Sequence, residues 1–141
     1  MGTKGVAFTT RLSVNECANI FRDAGEDVRG AGSRLLEAGA KIAGNSGATG
    51  YYTPTFDSPF ASIDGVPDFA IGLNILKFNA GAQGNGTHVH MYVDDQGDVR
   101  AVEIVSRHGM LDGGRSARLV GKFFERFTSA DRSLTVSESN I

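Results

Sequence analysis

Apolar and polar residues alternate near the start of the chain, and this alternation predicts a β-strand. In GVAFTTRL, residues 5–12, one side carries Val6, Phe8, Thr10 and Leu12, while small or polar residues fall on the other. Side chains of a strand point to opposite faces in turn, so one apolar row marks one buried face. We therefore expect an early strand whose even-numbered residues face a core.

A helical pattern follows this strand. Ser13 and Glu16 stand three residues apart in SVNE, which is the spacing of a capping box, where each side chain accepts a hydrogen bond from the other's backbone amide. Apolar residues then recur at helical spacing from Val14 onward. Gly25 is expected to weaken or end this helix, and SRLLEAGAKIAG predicts a second helical piece over about residues 33–42.

An irregular segment covers residues 44–68. It holds all three prolines of the chain and four aromatic residues, Tyr51, Tyr52, Phe56 and Phe60. We predict a loop with one short strand, because a loop of this length in a small domain usually has a function. Exposed, the aromatic side chains would form an interface patch. Folded back, they would cover the sheet, and either arrangement indicates binding.

Three more strands are predicted from alternation at residues 68–78, 87–93 and 99–106. A glycine-rich turn, NAGAQGNG, separates the first two. DDQGD at residues 94–98 joins the last two and is typical of a hairpin turn, with Gly97 where a positive φ is needed.

The length of this hairpin loop decides the pairing of the two strands. A three-residue loop over 95–97 sets His90 opposite Val102. A four-residue loop over 94–97 turns Arg100 toward the helices instead. We prefer the three-residue loop because it keeps that charge on the other face of the sheet.

A final helix is the most strongly patterned element. RSARLVGKFFERF at residues 115–127 carries an apolar stripe of Leu119, Val120, Phe123, Phe124 and Phe127. Few apolar residues follow it. Residues 129–141 are therefore expected to form a frayed or disordered C-terminal tail beyond a single domain at residues 1–128.

The predicted fold class is α+β. A single antiparallel sheet of four to five strands carries N-terminal and C-terminal helices packed on one face, in the order β-α-(α)-β-β-β-α. This order is similar, at the level of architecture, to helix-grip domains and to one half of a TATA-binding protein. No sequence motif of either family is present, and folds of this shape carry unrelated functions.

Two histidines, His88 and His90, stand two apart in the strand THVHMYV. Its odd-numbered residues Val89 and Met91 are apolar and should face the helices, so both imidazoles should point away from them. We call the surface opposite the helices the outer face. Arginine side chains beside imidazoles favour a carboxylate or phosphate group, so a small anionic ligand or a protein partner is expected there. The predicted polar contacts are Arg11, Asn74, His88, His90, Tyr92 and Arg100, and the predicted apolar contacts are Tyr51, Tyr52, Phe56 and Phe60.

The same histidine pair has a different interpretation as the centre of a small metal-dependent enzyme. Side chains at i and i+2 of a strand lie about 7 Å apart on one face, which permits chelation of a transition metal, and a cupin-type barrel uses His-x-His in this way. The glutamate expected a few residues later is missing here. His108 is a third ligand only if the fold brings it near. We therefore expect no cofactor and no catalytic residue, and keep His88 and His90 as candidate metal ligands.

Composition narrows the partners further. The net charge is −2 with scattered basic residues, which does not favour a nucleic-acid partner. A single cysteine rules out an internal disulfide and fits a reducing cytoplasm, and no apolar run is long enough to predict a membrane span.

Two short motifs bear on the binding of ions. DDQGD lacks the spacing of a calcium loop. HGMLDGGRS places glycines and an arginine at a helix start, where free amides attract anions.

The sequence therefore predicts a cytoplasmic, non-catalytic binding or protein-interaction module. Its contact surface would be the open outer face of the sheet together with the aromatic loop at residues 51–60. The polar edge of the sheet can also recruit a second copy, which would give a homodimer.

Overall fold

The computed structural model describes residues 2–42, 50–75, 87–108 and 114–141. Within these ranges the chain has an α+β fold with one antiparallel sheet of six strands and two helices. The elements in chain order are β1 (Gly2–Thr10), α1 (Val14–Ile42), β2 (Gly50–Tyr52), β3 (Phe69–Ile75), β4 (Thr87–Asp95), β5 (Arg100–His108), α2 (Arg115–Ala130) and β6 (Thr135–Ser139). Across the sheet the strands are ordered β2-β3-β4-β5-β1-β6.

The predicted fold class and the antiparallel pairing are confirmed, but the predicted number of strands is too small. β2 and β6 add one strand at each edge of the sheet. β6 lies in the segment predicted to be a frayed tail, and its five side chains are all exposed. It therefore has no apolar pattern, and it is held instead by backbone pairing with β1.

Helix α1 is continuous where two helical pieces were predicted. Its capping box forms as predicted, with 3.1 Å from the Ser13 amide nitrogen to Glu16 Oε1 and 3.1 Å from the Glu16 amide nitrogen to Ser13 Oγ. Gly25 does not end the helix. A Cβ atom at this position would lie 2.5 Å from Tyr51 Oη and 2.8 Å from Leu73 Cδ2. The glycine therefore marks a close approach of α1 to the sheet.

Both helices pack on one face of the sheet and enclose the main core. Phe8 of β1 lies 5.3 Å, ring centre to ring centre, from both Phe124 and Phe127 of α2. Phe21 of α1 lies 4.8 Å from Phe123. The sheet residues of this core include those predicted from the alternation: Val6, Phe8, Ile71, Leu73, Ile75, Val89, Met91 and Val93. Each large side chain buried here contributes about 1.5–3 kcal/mol.

The β4–β5 hairpin has a register that differs from both predicted registers. Asp95 pairs with Arg100, and the Gln96 amide donates to the Val99 carbonyl at 2.9 Å. Gly97, with φ 92°, occupies the first position of the two-residue turn. The predicted turns begin too early along the chain because the predicted strand ends at residue 93, whereas β4 continues through Asp94 and Asp95.

This register changes the face on which the residues of β5 lie. Val102 pairs with Val93, and Ile104 pairs with Met91, so apolar residues meet on the helix face. The three-residue loop preferred from the sequence would set Val102 opposite His90 instead. Ala101, Glu103 and Val105 lie instead on the outer face.

The outer face is partly covered by the chain between β2 and β3. Ile63 packs with Tyr92, Ala101 and Val105 to form a second, smaller core. Phe56, Phe60 and Ala70 pack against this cluster. The predicted open outer face is therefore covered over this cluster, and the alternative in which the aromatic loop folds back over the sheet is correct for Phe56 and Phe60.

Neither helix in the described part of the chain has the length and apolar character needed to cross a bilayer.

Candidate functional site

Tyr52 and the two histidines meet on the outer face beside the β2 edge. In the sheet register Tyr52 lies beside Gly72, and Gly72 lies beside His90. A Cβ atom at Gly72 would lie 2.7 Å from Tyr52 Cζ and 3.0 Å from His90 Cδ2. The missing side chain on β3 therefore lets the Tyr52 ring reach across that strand to β4.

Four side chains form a continuous hydrogen-bonded chain, which we call the ring chain: His88, Tyr52, His90 and Tyr92. Tyr52 Oη lies 2.7 Å from His88 Nδ1 and 2.6 Å from His90 Nε2. On the other side of the same imidazole, His90 Nδ1 lies 3.0 Å from Tyr92 Oη. Tyr92 Oη in turn donates to the Thr55 carbonyl at 3.2 Å.

The ring chain runs from the interior to the surface. Tyr92 is fully buried, His90 and Tyr52 are half-buried, and His88 is exposed. The outward direction of both histidines, predicted from the alternation in β4, is confirmed. Both imidazoles contact Tyr52, which lies on the face opposite the main core. Neither ring is therefore beneath a helix.

The members of the ring chain are uncharged at neutral pH. Burial, together with the neighbouring His88 and Arg107, lowers the pKa of His90 to about 4, while Asp57 acts in the opposite direction. Partial burial also lowers the pKa of His88. Burial raises the pKa of Tyr52 to about 12. Each imidazole therefore carries one proton and each phenol retains its own.

Charged groups flank the ring chain on the β5 side. Arg107 forms an exposed ion pair with Asp57 of the covering loop. Glu103 lies beneath this loop and is fully buried. Its Oε2 accepts a hydrogen bond from Ser62 Oγ, and its Oε1 has no partner among the described residues.

Most of the predicted contacts lie on the outer face, but they do not all share one surface. Asn74 is buried beside His88 on β3. Phe56 stacks edge-on against Tyr92, with ring centres 4.9 Å apart, and so belongs to the second core. Phe60 packs into the same core. These aromatic side chains therefore hold the loop on the sheet and do not form an exposed patch.

Three predicted contacts lie elsewhere. Tyr51 is on the helix face, where its Oη is 3.0 Å from the Arg22 carbonyl and 2.8 Å from Glu26 Oε2. Arg100 is on the helix face as well, and its guanidinium donates to the Leu12 carbonyl at 2.7 Å. Arg11 is exposed just beyond β1.

Sequence reasoning missed Arg107, Asp57 and Gly72 as parts of the site. A glycine inside a strand often indicates a close approach by another group, so Gly72 carried a usable signal. Arg107 and Asp57 carried none, because their pairing depends on how the loop folds back. The proposed anion site in HGMLDGGRS falls largely on residues 109–113, and the predicted glycine-rich turn falls on residues 79–86. Both lie outside the described residues, as does the side chain of His108.

The geometry does not favour chelation of a metal by the histidine pair. Three of its four ring nitrogens already lie within hydrogen-bonding distance of a phenol oxygen. In the part of the chain that the structure describes, no group of three or more histidine, cysteine, aspartate or glutamate side chains is arranged to hold a metal ion. A metal held by both imidazoles would have to displace Tyr52 or Tyr92 from His90.

Comparison of the chain with protein-family models, with curated proteins and with solved structures finds no match.

Proposed function

We propose that the protein is a non-catalytic binding module whose contact surface is the exposed end of the ring chain, at His88 and Tyr52. The observation that carries this proposal is the bridge formed by Tyr52 Oη between two uncharged imidazoles, at 2.7 and 2.6 Å. The loop that follows Tyr52 packs on Tyr92, at the buried end of the ring chain.

The contrast between the two halves of the outer face supports this assignment. Over Tyr92 and Val105 the loop closes the face with apolar side chains. Beside β2 the face carries polar rings instead, and His88 remains exposed. Hydrogen bonds of this kind contribute only about 0.5–1.5 kcal/mol each to stability. Apolar side chains would stabilise this position as well, so stability alone does not account for the polar rings.

The predicted anionic ligand now has less support. It depended on Arg11 and Arg100 lying near the imidazoles. Arg100 donates from Nε to Leu12 and from Nη2 to the Arg11 carbonyl, at 2.7 Å each, on the other face. The charge of Arg107 does act on His90, but Asp57 already pairs with this arginine.

The thiol of the chain is not part of this surface. Cys17 is the single cysteine of the chain, and it is fully buried in the main core. Burial raises the pKa of its thiol to about 12. The thiol is therefore un-ionised at neutral pH and lies on the wrong face of the sheet.

Binding can be tested with small probes and backbone amide NMR. Indole and benzoate, titrated to millimolar concentration, represent an uncharged hydrogen-bond donor and an anion. If the proposal is correct, at least one probe shifts the amide signals of residues around Tyr52 and His88, and His88→Gln weakens that binding at least threefold.

Val136→Thr is the matched control, since Val136 is an exposed residue on β6 at the far edge of the sheet. This change should leave the binding unaltered. Probe shifts that map elsewhere, or no shift with either probe, would contradict the proposed function.

A further inference from the structure

We propose that the direction of the hydrogen bonds in the ring chain leaves His88 Nε2 as an unprotonated acceptor, so that the site recognises an N–H or O–H donor group of its ligand. The proposal rests on the proposed function for the identity of the contact surface. It adds the position of each proton and the chemical class of the group that is bound.

The direction is set at the buried end of the ring chain. Tyr92 Oη lies 3.2 Å from the Thr55 carbonyl and 3.5 Å from the Asp57 carbonyl. A carbonyl oxygen only accepts, so the single phenol proton of Tyr92 is directed to one of these two oxygens. The contact at 3.0 Å between Tyr92 Oη and His90 Nδ1 must then be donated by His90.

The remaining protons follow from this first step. A neutral imidazole carries one proton, so His90 Nε2 has only a lone pair and accepts from the Tyr52 hydroxyl at 2.6 Å. Tyr52 has then given its one proton. Its oxygen therefore accepts from His88 Nδ1–H at 2.7 Å. His88 Nε2 is left without a proton, at the exposed end of the ring chain.

The opposite direction breaks a hydrogen bond in the interior. If His90 Nε2 donated to Tyr52, then Tyr92 would have to donate to His90 Nδ1. The lone pairs of Tyr92 Oη would then face the Thr55 carbonyl at 3.2 Å with no proton between them. Because Tyr92 is fully buried, the loss of this hydrogen bond disfavours the opposite direction.

This arrangement determines which ligand groups fit at His88. The lone pair of a neutral imidazole repels a carboxylate or phosphate oxygen but accepts a hydrogen bond from an N–H or O–H group. A ligand that lacks the donor leaves this acceptor unpaired, and such pairing is the basis of strong discrimination in binding sites. Indole and N-methylindole make a matched pair of probes, because they differ at the donor nitrogen and have similar shapes.

The proton positions can be measured directly with ¹⁵N NMR of the imidazole rings at pH 7, with signals assigned through His88→Gln and His90→Gln. We expect both His88 and His90 to be protonated at Nδ1. In Tyr52→Phe, which keeps the ring but removes Oη, the His88 ring should move toward the Nε2-protonated form that free histidine prefers. Protonation of His88 at Nε2 in the wild-type protein would overturn the proposal.

The ligand class is measured separately by titrating the two probes. We expect indole to bind at the ring chain at least fivefold more tightly than N-methylindole, and the preference to disappear in His88→Gln. Equal binding of the two probes at this surface would overturn donor recognition while leaving the proposed function intact. Failure of every probe to bind would instead contradict the proposed function, and the NMR result would still decide the proton positions.

Discussion

His90 has no free ring nitrogen, because Tyr52 and Tyr92 each lie within hydrogen-bonding distance of one. Protonating this ring would place a hydrogen on Nε2, which already accepts a hydrogen bond from the Tyr52 hydroxyl. The two hydrogens would then face each other. Burial adds to the cost of the charge, and the pKa of His90 falls to about 4. The ring is therefore held neutral by its position in the middle of the ring chain.

A loss of stability in mild acid follows from this lowered pKa. The unfolded His90 takes up a proton near its ordinary pKa of 6.5, whereas the folded form does so only near 4. The free energy of unfolding should therefore fall as the pH drops from about 6.5 toward 4, and this contribution stops changing at lower pH. One group contributes at most about 1.4 kcal/mol per pH unit, and partial exposure keeps the slope below that limit.

Urea unfolding at pH 7, 6, 5 and 4 measures this effect, and His90→Gln should show a flatter slope over the same range. The pKa of Asp131 is lowered to about 2, chiefly by hydrogen bonds from Ser133 and Thr10. Its stabilising effect is lost mainly below about pH 3.8, and because the wild type and the variant both keep Asp131, it contributes equally to the two slopes. Equal slopes in the wild type and the variant would contradict the neutral state assigned to His90.

At the residue scale, the sequence predicted which face of the sheet the two histidines occupy, but it did not predict their hydrogen-bond partner Tyr52. Alternation in β4 correctly turned His88 and His90 away from the helices. The bridge to Tyr52 depends on β2 lying beside β3, and on Gly72 leaving space between them. Those residues are far apart along the chain, so local periodicity carried no information about their contact.

The elements show how tertiary contacts override local preference. A glycine in a helix usually costs about 0.5–1 kcal/mol relative to alanine, and for that reason Gly25 was expected to weaken α1. The helix nevertheless continues to Ile42. The space beside Gly25 is filled by Tyr51 and Leu73, which anchor β2 and β3 against the helix.

Two glycine-to-alanine substitutions should therefore have opposite effects. In Gly25→Ala the new Cβ would lie 2.5 Å from Tyr51 Oη and 2.8 Å from Leu73 Cδ2, and overpacking of this kind costs about 1–3 kcal/mol. Gly121 in α2 has no neighbour within 4 Å of an added Cβ. Gly121→Ala should therefore stabilise the fold by about 0.5–1 kcal/mol. Thermal or urea unfolding of the two variants measures both effects, and a stabilising Gly25→Ala would contradict the close approach.

The hairpin illustrates a different limit of sequence reasoning. DDQGD allows several loop lengths, and each length moves β5 against β4 by a different amount. The observed register sets Val102 opposite Val93 and Ile104 opposite Met91. Matching these apolar residues across both strands, rather than counting turn residues, would have identified it.

At the scale of the whole molecule, the first strand of the chain pairs with two of the last: β1 lies between β5 and β6. Asn140 stabilises the pairing of β1 with the edge strand β6. Its Oδ1 accepts from the Gly5 amide at 2.7 Å, its Nδ2 donates to the Thr3 carbonyl at 2.9 Å, and its own amide donates to the Gly5 carbonyl at 3.1 Å.

Asn140→Ala should loosen this edge without disturbing the main core. It removes two side-chain hydrogen bonds, each contributing about 0.5–1.5 kcal/mol. We expect a loss of about 1–2 kcal/mol in the free energy of unfolding and faster hydrogen exchange at the Gly5 amide. Hydrogen exchange at the Met91 amide, in the centre of β4, is measured under the same native conditions and serves as the internal control. Unchanged exchange at Gly5 would show that β6 is not held in this way.

The fold class was predictable because core residues repeat at strand or helix periods, as in β4 and α2. The two edge strands were not. β2 has only three residues, and β6 has five side chains that are all exposed. Neither segment has the buried row on which such predictions depend.

The placement of β1 also affects how the chain folds during its synthesis on the ribosome. Its partner β5 begins about 90 residues after β1 ends, at Arg100, and its partner β6 begins later still, at Thr135. During synthesis Val6 and Phe8 therefore emerge long before the strands that enclose them. Contacts between such distant segments raise the contact order and slow folding. The nascent chain thus carries an unpaired apolar strand until β5 has been made, and that interval is when it is most exposed to aggregation and to capture by chaperones.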